Sequence, residues 1–154
     1  LVPAPAGFDA RKNASSRSYR YHLSTGVAMS PFWKQYSWWI PLRLDVGAMA
    51  DAAALTVGRH DFTAFTPTET EHVFFRRMVL KCAWRRGRDG ILTFEIEAEA
   101  FLRGMVRALV GTMVEVGQGR RSVSEYGRLL EGRSRLEAGP TAPACGLFLW
   151  DVKY

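Results

Sequence analysis

Apolar and polar residues alternate with a period of two along Ser18-Tyr-Arg-Tyr-His-Leu-Ser24, which predicts a strand with Tyr19, Tyr21 and Leu23 on one side. Residues 24–37 show no period and hold Pro31, Phe32 and Trp33, so they read as a loop before Ser37-Trp-Trp-Ile40 resumes extended structure. Val46, Met49, Ala53 and Val57 recur at helical spacing. Asp45 can cap that helix and Gly58 can end it, which predicts a helix over 46–57. His60 to Phe65 is a short aromatic segment, and Thr66 to His72 is a polar, acidic loop. Val73 to Arg86 and Ile91 to Glu99 read as strands joined by a hairpin turn at Gly87-Arg-Asp-Gly90. In the second of these, Leu92, Phe94, Ile96 and Ala98 alternate with Thr93, Glu95, Glu97 and Glu99, predicting one buried and one wet face. A helix begins at Ser122 or Ser124 and runs to about Glu131; a Gly/Pro/Ala loop covers 133–146; Leu147 to Tyr154 closes as a strand. Locally paired strands with helices between some of them indicate an α+β fold, a mostly antiparallel sheet with helices packed on one face. Residues 1–16, rich in Pro, Ala and Ser, read as a linker into a domain spanning 17–154.

Between the second strand of the hairpin and the Ser122 helix lies the most distinctive stretch, Glu99 to Gly117, which predicts a long apolar helix. At about 100° per residue, Phe101, Leu102, Met105, Val106, Leu109, Val110, Met113 and Val116 share one broad side. Arg103, Gly104, Arg107, Ala108, Gly111 and Glu115 take the other. Each interior glycine costs about 1 kcal/mol of helix propensity relative to Ala. Glycines flanking Arg107 therefore suggest that another backbone passes close over this face. Two readings of the helix stand side by side: a partly enclosed cation at Arg107, or a solvated basic face.

The total of 154 residues is one domain with room for a real core, and 47% hydrophobic against 23% charged residues is ordinary for a globular protein. No apolar run reaches the roughly 18 residues of a membrane span. The start, Leu-Val-Pro-Ala-Pro-Ala-Gly, has neither the basic nor the apolar part of a signal peptide and no initiator Met, so the chain reads as beginning inside a longer protein. Cys82, Cys145 and the scattered His22, His60 and His72 lack metal-ligand spacing and suit a reducing cytoplasm. Net charge is +6, with basic residues clustered at Arg17/Arg20, Arg76/Arg77/Lys81, Arg85/Arg86/Arg88 and Arg120/Arg121. That pattern favours a polyanionic partner, nucleic acid first.

The order of segments resembles the tRNA pseudouridine synthase A family. The resemblance is carried by Phe8-Asp-Ala-Arg11 with Ser18-Tyr-Arg-Tyr21, Leu44-Asp-Val-Gly-Ala-Met49, Gly58-Arg-His-Asp-Phe-Thr-Ala-Phe65 and Ala100-Phe-Leu-Arg-Gly-Met-Val-Arg-Ala-Leu-Val-Gly111. It continues through Glu115-Val-Gly117, Gly139-Pro-Thr-Ala-Pro143 and Gly146-Leu-Phe-Leu149. The pieces run in family order from about residue 8 to residue 154 and correspond to the family's C-terminal part. The resemblance implies isomerisation of anticodon-arm uridines in tRNA, without cofactor or metal, by a cytoplasmic homodimer. An aspartate attacks the nucleotide, the glycosidic bond breaks, and the uracil turns and rejoins through carbon. In the family that aspartate sits in an upstream Arg-Thr-Asp-Ala-Gly-Val-His motif. Asp9, Asp45, Asp51, Asp61, Asp89 and Asp151 all stand in other contexts, so residues 1–154 alone are expected to be inactive.

Carried over residue by residue, the resemblance makes Tyr19 the active-site tyrosine, able to stack on a flipped uracil and a candidate for proton transfer at C5. It makes Arg107 the partner that keeps the aspartate ionised and oriented, and Leu147 an apolar wall of the uracil pocket. From the residues alone, Tyr19 and Leu147 read equally as strand core. Arg17, Arg20, Arg76 and Arg77 are candidate phosphate contacts or solvated charges. Trp33, Trp38 and Trp39 are candidate subunit-interface residues or core. His60 and Asp61 read as structural or RNA-contacting. The chain departs from the family where Arg17-Ser18 replaces a basic pair, and where an acidic, aromatic 66–75 loop with Val73-Phe-Phe-Arg-Arg77 replaces a Pro-any-Arg element. The alternative reading is a non-catalytic RNA-binding domain that kept the fold.

Overall fold

A computed structural model describes residues 3–87 and 90–154. Among the described residues the elements run β1 (Ser16–Ser24), β2 (Trp38–Trp39), α1 (Val46–Thr56), β3 (Gly58–Asp61), β4 (Arg76–Arg86), β5 (Ile91–Ala98), α2 (Met105–Gly117), α3 (Val123–Leu129) and β6 (Leu147–Lys153). The strands form one sheet in the order β2-β1-β5-β4-β3, and β6 pairs β1 beside β2. All pairings are antiparallel except β1–β2.

β1 lies between β5 and the edge made by β2 and β6, and its alternation does what the pattern predicts: Tyr21 and Leu23 are fully buried beneath the helices, and Tyr19 packs against the same core. Across β5 they meet Phe94 and Leu92, their register partners. β4 carries one extra residue between Val79 and Lys81 relative to β5. The bulge lets Val79, Cys82 and Trp84 all turn inward although their spacing breaks a strict period of two. Trp84 reaches α2, donating from Nε1 to the Met113 sulfur at 3.2 Å.

The helix caps follow local chemistry. Asp45 accepts from the Ala48 amide at the start of α1. Ser122 and Glu125 form a reciprocal capping box at α3, which selects Ser122 over Ser124 as its start. α1 and α3 are joined in the core by the Thr56 hydroxyl and the Tyr126 phenol at 2.7 Å. Of the predicted turn at 87–90, Arg88 and Asp89 lie outside the described residues. Gly87 donates to the Ile91 carbonyl at 2.8 Å.

Two expectations are corrected. The β5 face expected to be wet is not wet throughout: Thr93 and Glu95 are half-buried and Glu97 is only 7% exposed, bound by the Ser16 hydroxyl and the Lys153 ammonium, each at 2.7 Å, with Lys81 at 3.8 Å. Alternation reports polarity, and polarity becomes exposure only where no distant cation closes over the carboxylate. The second concerns α2, which begins at Met105, with Gly104 at φ +70° just before it. That left-handed turn is one L side chains rarely adopt, so Arg103 and Gly104 belong to the approach to the helix.

Candidate active site

α2 is buried almost all round. Ala108 and Gly111, on the side expected to be polar, are as enclosed as Met105 and Leu109. What encloses them is the segment 139–146, a strap laid over the first two turns of the helix. A Cβ built on Gly111 would lie 1.8 Å from the Pro140 carbonyl oxygen, so only glycine allows this approach. The strap's start is tied down by the Gly139 amide donating to the Thr112 hydroxyl at 3.0 Å.

Arg107 lies under this strap. Its Nε donates to the Ala142 carbonyl at 2.6 Å, and the Ala142 amide donates back to the Arg107 carbonyl at 3.0 Å. The guanidinium is half-buried, its Nε edge spent on the strap. Of the two readings of the helix, this geometry matches the partly enclosed cation. Arg103, by contrast, is exposed and its side chain makes no hydrogen bond or ion pair among the described residues.

Leu147 opens β6 directly after the strap and pairs with Tyr21 across β1. Tyr19 stands two residues earlier on the same strand, half-buried, with its ring edge-on to Phe101 at 5.0 Å between centroids. Tyr21 is the residue that sequence reasoning passed over. Its hydroxyl donates to the Pro143 carbonyl at 2.6 Å, and burial pushes its ionisation well above the usual phenol value, with the nearby Arg107 charge opposing. A contact spanning 122 positions leaves no local trace in the sequence.

The four arginines read as phosphate contacts are in different situations. Arg17 donates to the Ala14, Glu99 and Arg11 carbonyls and pins the leading segment to the sheet. Arg77 folds back onto the Phe74 and Arg76 carbonyls at 2.7 and 2.8 Å. Arg20 lies 3.7 Å over the Trp150 ring and 2.7 Å from Glu95, which also takes Arg85 at 2.9 Å. Arg76 is exposed and its guanidinium has no hydrogen-bonding partner among the described residues.

His60 and Asp61 are absorbed locally, His60 Nε2 lying 3.0 Å from the Val57 carbonyl and Asp61 accepting from the Thr63 amide and hydroxyl. Trp38 packs on the core and Trp39 donates to the Gly26 carbonyl. Trp33 joins His22, Tyr36, Phe148 and Trp150 in an aromatic patch on the sheet face away from the helices.

A mostly antiparallel sheet backed by helices on one face makes an α+β domain consistent with the pseudouridine synthase fold. A family model described as tRNA pseudouridine synthase matches residues 52–154. Proteins named tRNA pseudouridine synthase A are 40% identical in Bacillus pumilus, 40% in Myxococcus xanthus and 38% in Bacillus subtilis. Those alignments cover 96%, 99% and 98% of this chain, respectively. The chain belongs to the tRNA pseudouridine synthase family. It spans 59%, 58% and 61% of the length of those three relatives.

Proposed function

We propose that this chain is the C-terminal catalytic-domain portion, residues 17–154, of a cytoplasmic tRNA pseudouridine synthase. In this reading it converts uridine to pseudouridine in the anticodon arm, using an aspartate that residues 1–154 do not supply in the family's motif. The observation that carries the proposal is Arg107. A guanidinium half-enclosed by Gly111 and the strap, with Nε committed to Ala142 and its Nη edge uncommitted among the described residues, suits a carboxylate brought from elsewhere. Such a partner holds the carboxylate ionised and aimed at the nucleotide.

Tyr19 then supplies the ring against which the freed uracil stacks, and its hydroxyl serves the proton transfer at C5. Leu147 closes the pocket with an apolar wall that keeps out water. In balance, the bond from C1′ to N1 breaks, a bond from C1′ to C5 forms, the C5 proton leaves and N1 gains one. No cofactor or metal enters these steps. The RNA is held by phosphate contacts that position it without reading sequence. Arg76 makes a direct contact, while Arg17, Arg20 and Arg77 add positive field from within their own hydrogen bonds. The partner subunit of a homodimer covers the aromatic patch around Trp33, where Phe32 is 86% and Trp150 57% exposed.

Release of tritium from tRNA labelled at uridine C5 tests this reading. The full-length protein carrying the aspartate motif is expected to release tritium and leave pseudouridine in the anticodon arm, and residues 1–154 alone are expected to release none. Turnover by residues 1–154 alone would overturn the assignment of the nucleophile, and tRNA binding without turnover by the full-length protein would leave a non-catalytic RNA-binding domain.

A further inference from the structure

The strap that covers Arg107 is fixed at both ends. At its start, Gly139 is held by Thr112 and Pro140 is seated on Gly111. At its far end stands Tyr21. The Tyr21 ring is fully buried in β1 and pressed by Gly146, where an added Cβ would lie 2.8 Å from two ring carbons. The Tyr21 hydroxyl donates to Pro143, the residue next to Ala142. Between these two fixed points hangs the Ala142 carbonyl that takes the Arg107 Nε. Moving Ala142 therefore turns the guanidinium.

From these contacts we infer that Tyr21 is a positioning residue for the reaction: its hydrogen bond to Pro143 sets the strap, and the strap sets the direction of the Arg107 fork. The inference rests on the reading of Arg107 as partner of the catalytic aspartate. It gives the two tyrosines of Tyr19-Arg-Tyr21 separate duties. Tyr19 faces the base, and Tyr21 acts through Pro143 and Ala142 without touching substrate. The Tyr21 phenol suits this work, because burial keeps its proton in place and the hydroxyl remains a donor throughout the working pH range.

The test is single-turnover kinetics in the full-length enzyme with Tyr21→Phe, Arg107→Lys, Arg107→Ala and the Tyr21→Phe/Arg107→Lys double variant. Tyr21→Phe keeps the ring and removes only the donor. Thermal unfolding of every variant establishes that each is folded at the assay temperature. Tyr21→Phe is expected to slow the chemical step roughly 10- to 100-fold, the scale of a small misplacement of a catalytic group, with tRNA affinity within about twofold. A loosened guanidinium stabilises the carboxylate less, so the acid limb of the rate profile should move to higher pH. In the Arg107→Lys background, where the fork is already lost, Tyr21→Phe should add less than about threefold.

A normal chemical step in Tyr21→Phe overturns the inference. So does an unshifted acid limb, or the same fold loss in both backgrounds, since a merely structural tyrosine would act additively. These outcomes remain separate from the parent reading. If Arg107→Ala turns over normally, the assignment of Arg107 itself fails. If Arg107→Ala is inactive while Tyr21→Phe is not impaired, only the role of Tyr21 fails.

Discussion

Gly111→Ala places a methyl group 1.8 Å from the Pro140 carbonyl oxygen and 2.9 Å from its carbon. Side-chain carbons essentially never come within 3.0 Å of such neighbours, so the strap must withdraw by more than 1 Å. Within the same few residues lie the bonds from Arg107 Nε to Ala142, from the Ala142 amide to the Arg107 carbonyl, and from Gly139 to Thr112. A neutral hydrogen bond contributes about 0.5–1.5 kcal/mol and one to a charged group about 1.5–3 kcal/mol. Against their loss stands a gain of about 1 kcal/mol in helix propensity. The net expectation is a destabilisation of about 2–5 kcal/mol, which for a domain of this size lowers Tm by roughly 5–15 °C. Urea unfolding followed by circular dichroism measures it, through a lower midpoint at unchanged slope. Gly127→Ala is the internal control, because its Cβ would meet Leu55 at an ordinary 3.4 Å. That variant should be neutral or slightly more stable. If Gly111→Ala is instead as stable as the parent, no backbone crosses that face and the enclosure of Arg107 is refuted.

The affinity of the full-length protein for tRNA should fall steeply with salt, log K losing about 0.7–0.9 per phosphate neutralised. Arg76→Gln should reduce that slope by about one such step, whereas Arg17→Gln should chiefly lower Tm; an unchanged slope in Arg76→Gln would remove Arg76 from the RNA contact. Hydrogen bonds from Lys153 and then Ser16 hold the Glu97 carboxyl below its ordinary value of 4.5, against the opposing effect of burial. A group with a depressed folded pKa contributes stability above its unfolded pKa and loses it as pH falls through the folded value. Glu97→Gln should therefore flatten the loss of Tm between about pH 5 and pH 3, and parallel curves for parent and variant would contradict the pairing.

What was legible along the chain was what neighbours in sequence decide. The period of two in β1 and the Asp45 cap of α1 were visible because propensity, pattern and cap agree there. The sheet and the helices on one face followed from the order of such segments. Glu97 was misread because its cations sit on β4 and at the chain's end, and nothing within β5 announces them. The start of α2 was misplaced because Gly104 fits a helical pattern until its backbone turns left-handed. Arg107 and Gly111 did signal a covering segment, but which segment, and the part Tyr21 plays in holding it, became visible only when residues 27 to 122 positions apart met across α2.

Single-turnover pseudouridine formation by the full-length enzyme with Arg107→Ala, measured beside tRNA affinity, tests the central claim most directly. Removing one member of a buried charge pair costs about 3–5 kcal/mol, which corresponds to a loss of roughly 10²- to 10⁴-fold in rate. Affinity should stay near that of the parent. Arg107→Lys should recover only part of the rate, since an ammonium cannot reproduce the forked contact. Arg103→Ala, which removes an exposed side chain with no bonds of its own among the described residues, should lose far less. Near-normal turnover by Arg107→Ala, or a loss confined to tRNA binding, would contradict the account and return Arg107 to the surface charges.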